Sequence, residues 1–233
     1  MKKMKAMVLT LCACIVMMGC NNLGKGTAIG AAGGALLGAI VGKVAGNTAV
    51  GAAVGTAVGA GAGALIGKHM DKVKAQAQAV QNAQVQSITD ANGLQAVQVT
   101  FDSGILFTTG SSTLSAVAKN SLSQFARDVL IPNRDCDVAV QGFTDNTPFR
   151  NSTAAQSQQK NLELSQQRAQ AVTSYLLQQG VNAAQIRSTT GFGEANPVAD
   201  NSTAAGKAQN RRVEVLLYAS QAMINAAEAG TLQ

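Results

Sequence analysis

The chain has 233 residues, of which 46% are hydrophobic, 3% aromatic and 13% charged, a length that allows one or two domains. Three of its 18 lysines and arginines lie within the first five residues, so the rest of the chain exceeds its 12 acidic residues by only three positive charges. That small surplus, with no basic run interleaved with aromatic residues, excludes a nucleic-acid-binding protein.

The N-terminus has the pattern of an export signal. Lysines precede an apolar run over residues 6–18, which is too short for a permanent membrane-spanning helix. The segment resembles a bacterial lipoprotein signal because the run ends in Gly19-Cys20, which implies that Cys20 carries lipid. We therefore predict a lipoprotein signal peptide at residues 1–19 and a lipidated tether at residues 20–26. An ordinary signal peptide cleaved at a small residue is the alternative.

Glycine recurs at every fourth position in two arms of residues 27–68, with Asn47 and Thr48 between the arms. This period places the glycines on one helix face, where small residues let two helix backbones approach closely. Each arm is about 20 residues long, roughly the span of a bilayer. The segment resembles the glycine-zipper segments of bacterial envelope lipoproteins and predicts a helical hairpin, with a flexible tether as the alternative. Whether the hairpin enters the membrane or packs with copies of itself as a homo-oligomer stays open.

The hydrophobic pattern changes after the glycine-rich part. Residues 69–93 are rich in alanine, glutamine and valine, and we predict a solvated helical connector there, with the single histidine, His69, at the surface without a partner. Residues 94–219 then alternate between strand and helix periodicities, and residues 220–233 are predicted to be a C-terminal tail.

Six elements are predicted in the C-terminal domain. Their order, β-α-β-α-β-β, indicates an α+β fold in which helices pack on one sheet as a sandwich. The strands are predicted at residues 94–101, 138–142, 187–191 and 213–218, and the helices at residues 112–130 and 162–179, with Gly180 ending the second helix.

Three sequence motifs stand in order along this domain. Residues 142–146 read G-F-T-D-N after a strand, residues 161–169 read N-L-E-L-S-Q-Q-R-A in a helix, and residues 210–214 read N-R-R-V-E at the last strand. This order resembles the OmpA-like C-terminal domain, whose members bind peptidoglycan non-covalently through the diaminopimelate of the stem peptide. Two features depart from that family: Phe143 stands where a histidine is usual, and residues 147–160 are predicted to form a longer loop.

The chemistry of diaminopimelate agrees with two of the motif residues. Its free end presents an ammonium and a carboxylate on one carbon. Asp145 can accept hydrogen bonds from the ammonium, and Arg168 can hold the carboxylate with two parallel hydrogen bonds. The alternative is that these two side chains only pair with each other. The resemblance implies the binding residues Asp145, Arg168, Asn161, Leu164, Asp102 and Thr144, whereas Arg211 and Arg212 are predicted to hold the last strand in place.

These features predict an outer-membrane lipoprotein, with its C-terminal domain in the periplasm, that tethers the membrane to peptidoglycan. The membrane contact would be made by the lipid anchor and the glycine zipper. One alternative is a glycine-zipper oligomer or pore that uses wall binding for positioning. Another is a stator-like motor component, although residues 27–67 contain no acidic residue that could conduct protons.

We predict that the protein is not an enzyme and has neither a cofactor nor a metal site. Ser157 and Lys160 have the spacing of the nucleophile motif of penicillin-binding proteins, but the accompanying K-T-G and S-D-N motifs are absent. Cys136 has no histidine in its predicted domain to act as a base, because His69 is the only histidine in the chain.

Overall fold

The computed structural model describes residues 58–90, 93–108 and 110–232. The predictions made for residues 1–57, including the signal peptide, the lipidation of Cys20 and most of the glycine ladder, lie outside these residues. None of the helices in the described part combines the length and the apolar character that crossing a bilayer requires.

The described residues form one five-stranded sheet with helices packed on it. The strands are β1 (Ala83–Thr89), β2 (Gln95–Asp102), β3 (Cys136–Gly142), β4 (Ile186–Gly191) and β5 (Arg212–Ala219). The helices are α1 (Ala60–Gln78), α2 (Ser103–Leu106), α3 (Ala116–Phe125), α4 (Ala154–Gln178), α5 (Ala204–Asn210) and α6 (Gln221–Glu228). A π-helical turn over Ala126–Leu130 continues α3, and a 3-10 turn over Ala183–Gln185 precedes β4.

The strands lie in the order β1-β2-β5-β3-β4. Neighbouring strands are antiparallel except β3 and β4, which are parallel and are joined by α4, the long crossover that a parallel pair requires. The four predicted strands and two predicted helices are found in the predicted order from β2 onward, but α5 is an additional helix between β4 and β5, where the sequence predicted none. The α+β helix-on-sheet class is confirmed.

Helix α1 belongs to the core of this domain. Its buried residues follow a helical spacing of three and four and are Ala62, Ile66, Met70, Val73 and Ala77. They pack against β1, β2 and α6. The described end of the glycine ladder is therefore part of a helix on the sheet. The prediction of a solvated helical connector at residues 69–93 is wrong, because α1 is buried there and β1 pairs with β2 along its whole length.

The C-terminal segment is also part of the core. Ser220 caps α6 by accepting a hydrogen bond from the backbone N–H of Met223 at 3.2 Å. Met223, Ile224 and Ala227 are buried in the same cluster as the α1 residues. Residues 220–233 are thus not a simple tail, since the helix covers apolar surface that would otherwise face water.

Helix α4 begins earlier than its hydrophobic pattern indicates. Thr153 and Gln156 form a capping box, in which the side-chain oxygen of each residue accepts a hydrogen bond from the backbone N–H of the other. The first turns of α4 are polar and show no apolar periodicity. The hydrophobic pattern alone therefore predicts that the helix begins at residue 162. The predicted loop at residues 147–160 is consequently shorter, because α4 begins at Ala154 and only residues 147–153 of that range lie outside the helix.

Two glycines let α4 lie directly on the sheet. A Cβ atom at Gly142 would be 2.2 Å from the carbonyl oxygen of Ser165, and one at Gly191 would be 2.2 Å from the backbone nitrogen of Gln166. Only a residue without a side chain fits at such distances. This close contact brings the N-terminal half of α4 beside the end of β3, where the motif residues lie.

Candidate functional site

A cleft of about 820 Å³ opens where the ends of several elements meet. It lies between the segment after β2, the segment after β3, one face of α4 and the residue that precedes β5. Its lining residues are Ser103, Gly104, Phe107, Thr108, Gly110, Ser115, Thr144, Asp145, Thr147, Pro148, Phe149, Arg150, Asn161, Leu164, Arg168 and Arg211. Five of the six predicted binding residues are therefore brought together in one cleft.

Asp145 is held in a fixed orientation three residues beyond β3. Its Oδ1 accepts a hydrogen bond from the backbone N–H of Thr147 at 2.8 Å, and its Oδ2 accepts one from Nη1 of Arg211 at 2.5 Å. Burial raises the pKa of Asp145, but the hydrogen bonds from Thr147 and Arg211 together lower it by more than burial raises it, so the pKa lies below its ordinary value. Asp145 is consequently an anion at neutral pH, with lone pairs left on both oxygens.

Arg168 is a buried cation on α4. It is only 3% exposed, its Nε donates to the carbonyl oxygen of Ser111 at 3.0 Å, and its guanidinium lies 5.2 Å from the ring centre of Phe107. None of the ion pairs in the described part of the chain includes it. Burial lowers the pKa of Arg168 and the charge of Arg211 adds to this, while Asp145 opposes it. The side chain still carries its charge, because arginine stays protonated in proteins.

Sequence reasoning missed Arg211 as a cleft residue. Arg211 lines the cleft and forms the ion pair with Asp145, so Asp145 does not pair with Arg168. Adjacent residues at the start of a strand point to opposite sides of the sheet. This alternation is the signal that could have distinguished Arg211, which lines the cleft, from Arg212, which does not. The prediction for Arg212 agrees with the structure: its Nε donates to Glu214 at 2.6 Å and its Nη2 to the carbonyl oxygen of Asn196 at 3.2 Å.

Asn161, Leu164 and Arg168 line the cleft together because spacings of three and four residues share one helix face. Asn161 reaches the carbonyl oxygen of Thr147 and Oε2 of Glu194, both at 3.4 Å. Thr144 lies beside Asp145 with its hydroxyl buried and without a hydrogen bond among the described residues.

Asp102 is the predicted binding residue that does not line the cleft. Its Oδ1 instead accepts from the backbone N–H of Gly104 at 2.6 Å and so caps α2. The next residue, Ser103, does line the cleft, and its buried hydroxyl also has no hydrogen-bond partner in the described part of the chain.

Phe143, at the position where the family usually has histidine, has a packing role. Its ring stacks on Phe192 with centroids 5.3 Å apart, and the guanidinium of Arg212 lies 3.9 Å from its ring centre. These contacts, a stacked pair and a cation over an aromatic face, support the strand ends that carry Thr144 and Asp145.

The residues of the nucleophile-like motif have structural partners. The Oγ of Ser157 is buried and accepts from the backbone N–H of Phe149 at 3.1 Å. Nζ of Lys160 donates to the Oγ of Ser152 at 2.9 Å and lies 5.6 Å from the ring centre of Phe149. Both therefore stabilise the segment between β3 and α4.

One cluster outside the cleft has the residue types of a metal site. His69, Asp135 and Cys136 each offer a ligand atom within 4.8 Å of the others. The prediction that His69 lies at the surface without a partner is wrong, because its side chain is 13% exposed and its Nε2 is 3.4 Å from Asp135. Burial raises the pKa of the Cys136 thiol, and Asp135 and Asp137 raise it further, so the thiol is protonated at neutral pH and disfavoured as a ligand.

The fold and the cleft define a class of protein: a helix-on-sheet domain whose cleft is lined by charged side chains of both signs. Comparison with known families agrees with this class. Residues 106–211 match the model of the OmpA family, and residues 1–71 match that of the YMGG-like Gly-zipper. Residues 106–211 are therefore similar to an OmpA family domain, and the segment before them is similar to a glycine zipper.

Individual proteins show the same similarity. Probable lipoprotein YiaD of Escherichia coli is 38% identical over 152 residues, which cover 65% of this chain and 64% of that protein. Peptidoglycan-binding protein ArfA of Mycobacterium tuberculosis is 42% identical over 83 residues, covering 36% of this chain and 23% of that protein. The chain thus spans less than two thirds of the length of either relative. The solved structure of the cell wall anchor of the T6SS from Pseudomonas aeruginosa has a TM-score of 0.51 at 28% identity, covering 65% of this chain and 97% of that one.

Proposed function

We propose that this protein binds peptidoglycan non-covalently and tethers the outer membrane to the cell wall. The similarity to an OmpA family domain supports wall binding, and so do the names of two similar proteins, one a peptidoglycan-binding protein and the other a cell wall anchor. The lipoprotein name of a third supports a membrane-anchored protein. Lipid on Cys20 would hold one end in the outer membrane, and the domain from α1 onward would hold the wall in the periplasm.

The observation that carries this proposal is the buried charge of Arg168. A buried cation is normally paired with an anion, because removing it from water costs several kcal/mol. In the described part of the chain its hydrogen bond goes to a carbonyl oxygen and its guanidinium lies over the ring of Phe107, and neither group neutralises the charge. Its Nη groups are available for a carboxylate supplied by a ligand in the cleft.

The free end of diaminopimelate matches the rest of the cleft. Its carboxylate would take parallel hydrogen bonds from Arg168, and its ammonium would donate to Asp145, whose oxygens each have a second lone pair. The buried hydroxyls of Ser103 and Thr144 have no partner among the described residues. Because buried hydroxyls are normally hydrogen-bonded, we assign them to the same ligand.

We propose a binding role without catalysis. The three similar proteins named above are described as a probable lipoprotein, a peptidoglycan-binding protein and a cell wall anchor. The serine and lysine that resemble a catalytic motif hold the segment after β3. A single site of modest affinity is sufficient for a tether, because many copies of the protein meet many stem peptides on one polymer.

The test is co-sedimentation of the purified chain with insoluble peptidoglycan that contains diaminopimelate. We expect the wild type to sediment and Arg168→Gln to lose binding by about 10-fold or more, because a hydrogen bond to a charged group contributes about 1.5–3 kcal/mol. Asp145→Asn should lose binding to a similar extent. Arg127→Gln is the matched control, since the Arg127 side chain is 70% exposed and pairs with its neighbour Asp128 away from the cleft.

Peptidoglycan with lysine in place of diaminopimelate tests whether the free end of diaminopimelate, and not another part of the wall, is the group that is bound. Lysine keeps the terminal ammonium and lacks the carboxylate, so we expect weak binding to it. Equal sedimentation with both polymers would contradict recognition of diaminopimelate. Sedimentation that survives both Arg168→Gln and Asp145→Asn would place wall binding elsewhere in the chain.

A further inference from the structure

The charges in the cleft exceed what the free end of diaminopimelate can neutralise. Arg150, Arg168 and Arg211 line the cleft together with a single acid, Asp145. At its edge, Lys160 lies over the ring of Phe149 and Glu194 accepts from Asn161, and these two charges offset each other. The free end of diaminopimelate carries one positive and one negative charge. With that ligand bound, the cleft would keep a surplus of two positive charges.

The segment between β3 and α4 presents one of these charges, Arg150, from an anchored loop. The backbone N–H of Thr147 donates to Asp145, and that of Phe149 donates to the buried Oγ of Ser157. On the other side, Asn151 takes a left-handed conformation with φ of 57°, which asparagine tolerates better than most residues. The backbone position of Arg150 is therefore set before any ligand arrives.

Arg150 itself has room for an anion. It is exposed, and none of the ion pairs found among the described residues involves it. Pro148 and Phe149 line the cleft next to it and form an apolar wall along which a peptide can lie. Arginine is also well suited to hold a planar carboxylate through two N–H groups.

The size of the cleft agrees with a ligand longer than one amino-acid end. A volume of about 820 Å³ falls within the range of roughly 300–1,000 Å³ typical of sites that enclose a whole drug-sized ligand. The ammonium, carboxylate and α-carbon of diaminopimelate occupy a small part of such a volume. The neighbouring residues of the stem peptide are the part of the polymer that would enter next.

We propose that Arg150, beside Phe149, forms a second carboxylate subsite that binds a further free carboxylate of the same stem peptide. The inference rests on the proposed function and adds a specificity to it. The protein would prefer stem peptides whose carboxylates are free over peptides in which they are amidated. That carboxylate is either the α-carboxylate of the γ-linked glutamate that precedes diaminopimelate or, in stems that end at diaminopimelate, the C-terminal carboxylate of diaminopimelate itself.

The test is calorimetric titration of the purified full chain with three synthetic tripeptides of alanine, γ-linked glutamate and diaminopimelate. One has all carboxylates free, one has the glutamate carboxylate amidated, and one has the main-chain carboxylate of diaminopimelate amidated. We expect one of the two amidations to weaken binding by about fivefold, the effect of a single partly exposed ion pair of about 1 kcal/mol. The amidation that weakens binding identifies the carboxylate that Arg150 holds.

The variant Arg150→Gln makes the assignment specific. It should bind the free peptide about fivefold more weakly than the wild type and bind the sensitive amidated peptide as the wild type does. Arg127→Gln, which removes an exposed arginine outside the cleft, should change neither affinity. Equal wild-type affinity for all three peptides, with binding still lost in Asp145→Asn, would overturn the second subsite and leave the proposed function intact. If no tripeptide binds at all, the proposed function fails as well.

Discussion

The role of α1 in the domain core can be tested with a single substitution, Ile66→Ala. Ile66 is fully buried, as are Met70 and Val73 on the same face of the helix. Replacing a fully buried isoleucine by alanine removes three carbon atoms and leaves a cavity, which lowers the free energy of unfolding by about 2–5 kcal/mol. This is a large share of the roughly 5–15 kcal/mol that stabilises a domain. If α1 did not pack on the sheet and Ile66 were exposed to solvent, the change would stay within about 0.5 kcal/mol.

Urea denaturation of the purified chain, followed by circular dichroism, measures this difference from the shift of the midpoint. Lys72→Ala is the matched control, because Lys72 is exposed on the same helix. The Cys136 thiol supplies a second readout: its Sγ lies 4.0 Å from Sδ of Met70, so loosening α1 should increase its rate of alkylation. A midpoint for Ile66→Ala equal to that of Lys72→Ala would refute the assignment of α1 to the core.

Three further outcomes are expected. Gly142→Ala should lower the melting temperature, with a loss of about 1–3 kcal/mol or more, because the new Cβ would lie 2.2 Å from the carbonyl oxygen of Ser165; an unchanged melting temperature would contradict the close contact of α4 and β3. Since the pKa of Asp145 is lower in the folded state, its contribution to stability is present above its unfolded pKa of about 3.9 and is lost as the pH falls through the folded pKa. The difference in free energy of unfolding between the wild type and Asp145→Asn should therefore shrink as the pH falls below the unfolded pKa, and a constant difference would be inconsistent with that shift. Cys136, buried and with a raised pKa, should react with iodoacetamide slowly in the native protein and rapidly in urea, whereas fast native labelling would show that the thiol is accessible.

Much of the candidate site could be predicted from the sequence because its residues stand in local motifs. Asn161, Leu164 and Arg168 share a face of any helix that contains them, and Asp145 follows a strand that is apolar enough to be identified. These residues line one cleft in the structure, whereas their contact with diaminopimelate stays a prediction. The function of Asp102 as a cap could not be read from its position at a strand end, because capping depends on the turn that follows.

The missed cleft residues lack such a local signal. Arg211 reaches Asp145 across 66 positions of sequence, and only the antiparallel pairing of β5 with β3 brings them together. Arg150 and Phe149 lie in a segment without periodicity, whose shape depends on one buried hydroxyl of α4. No spacing within the segment itself indicates that it forms a wall of the cleft.

The sequence by itself determined the α+β class, the order of the four strands from β2 onward and two charged residues of the cleft, Asp145 and Arg168, because hydrophobic period and motif spacing are properties of short stretches of chain. Only the tertiary structure decided that the domain extends from α1 to α6. The apolar residues of α1 are spaced among glycines and alanines, and those of α6 occupy two turns, so neither segment is apolar enough to be assigned to a core alone. Their burial follows from the sheet face that they cover together, and that face exists only once β1, β2 and β5 have paired.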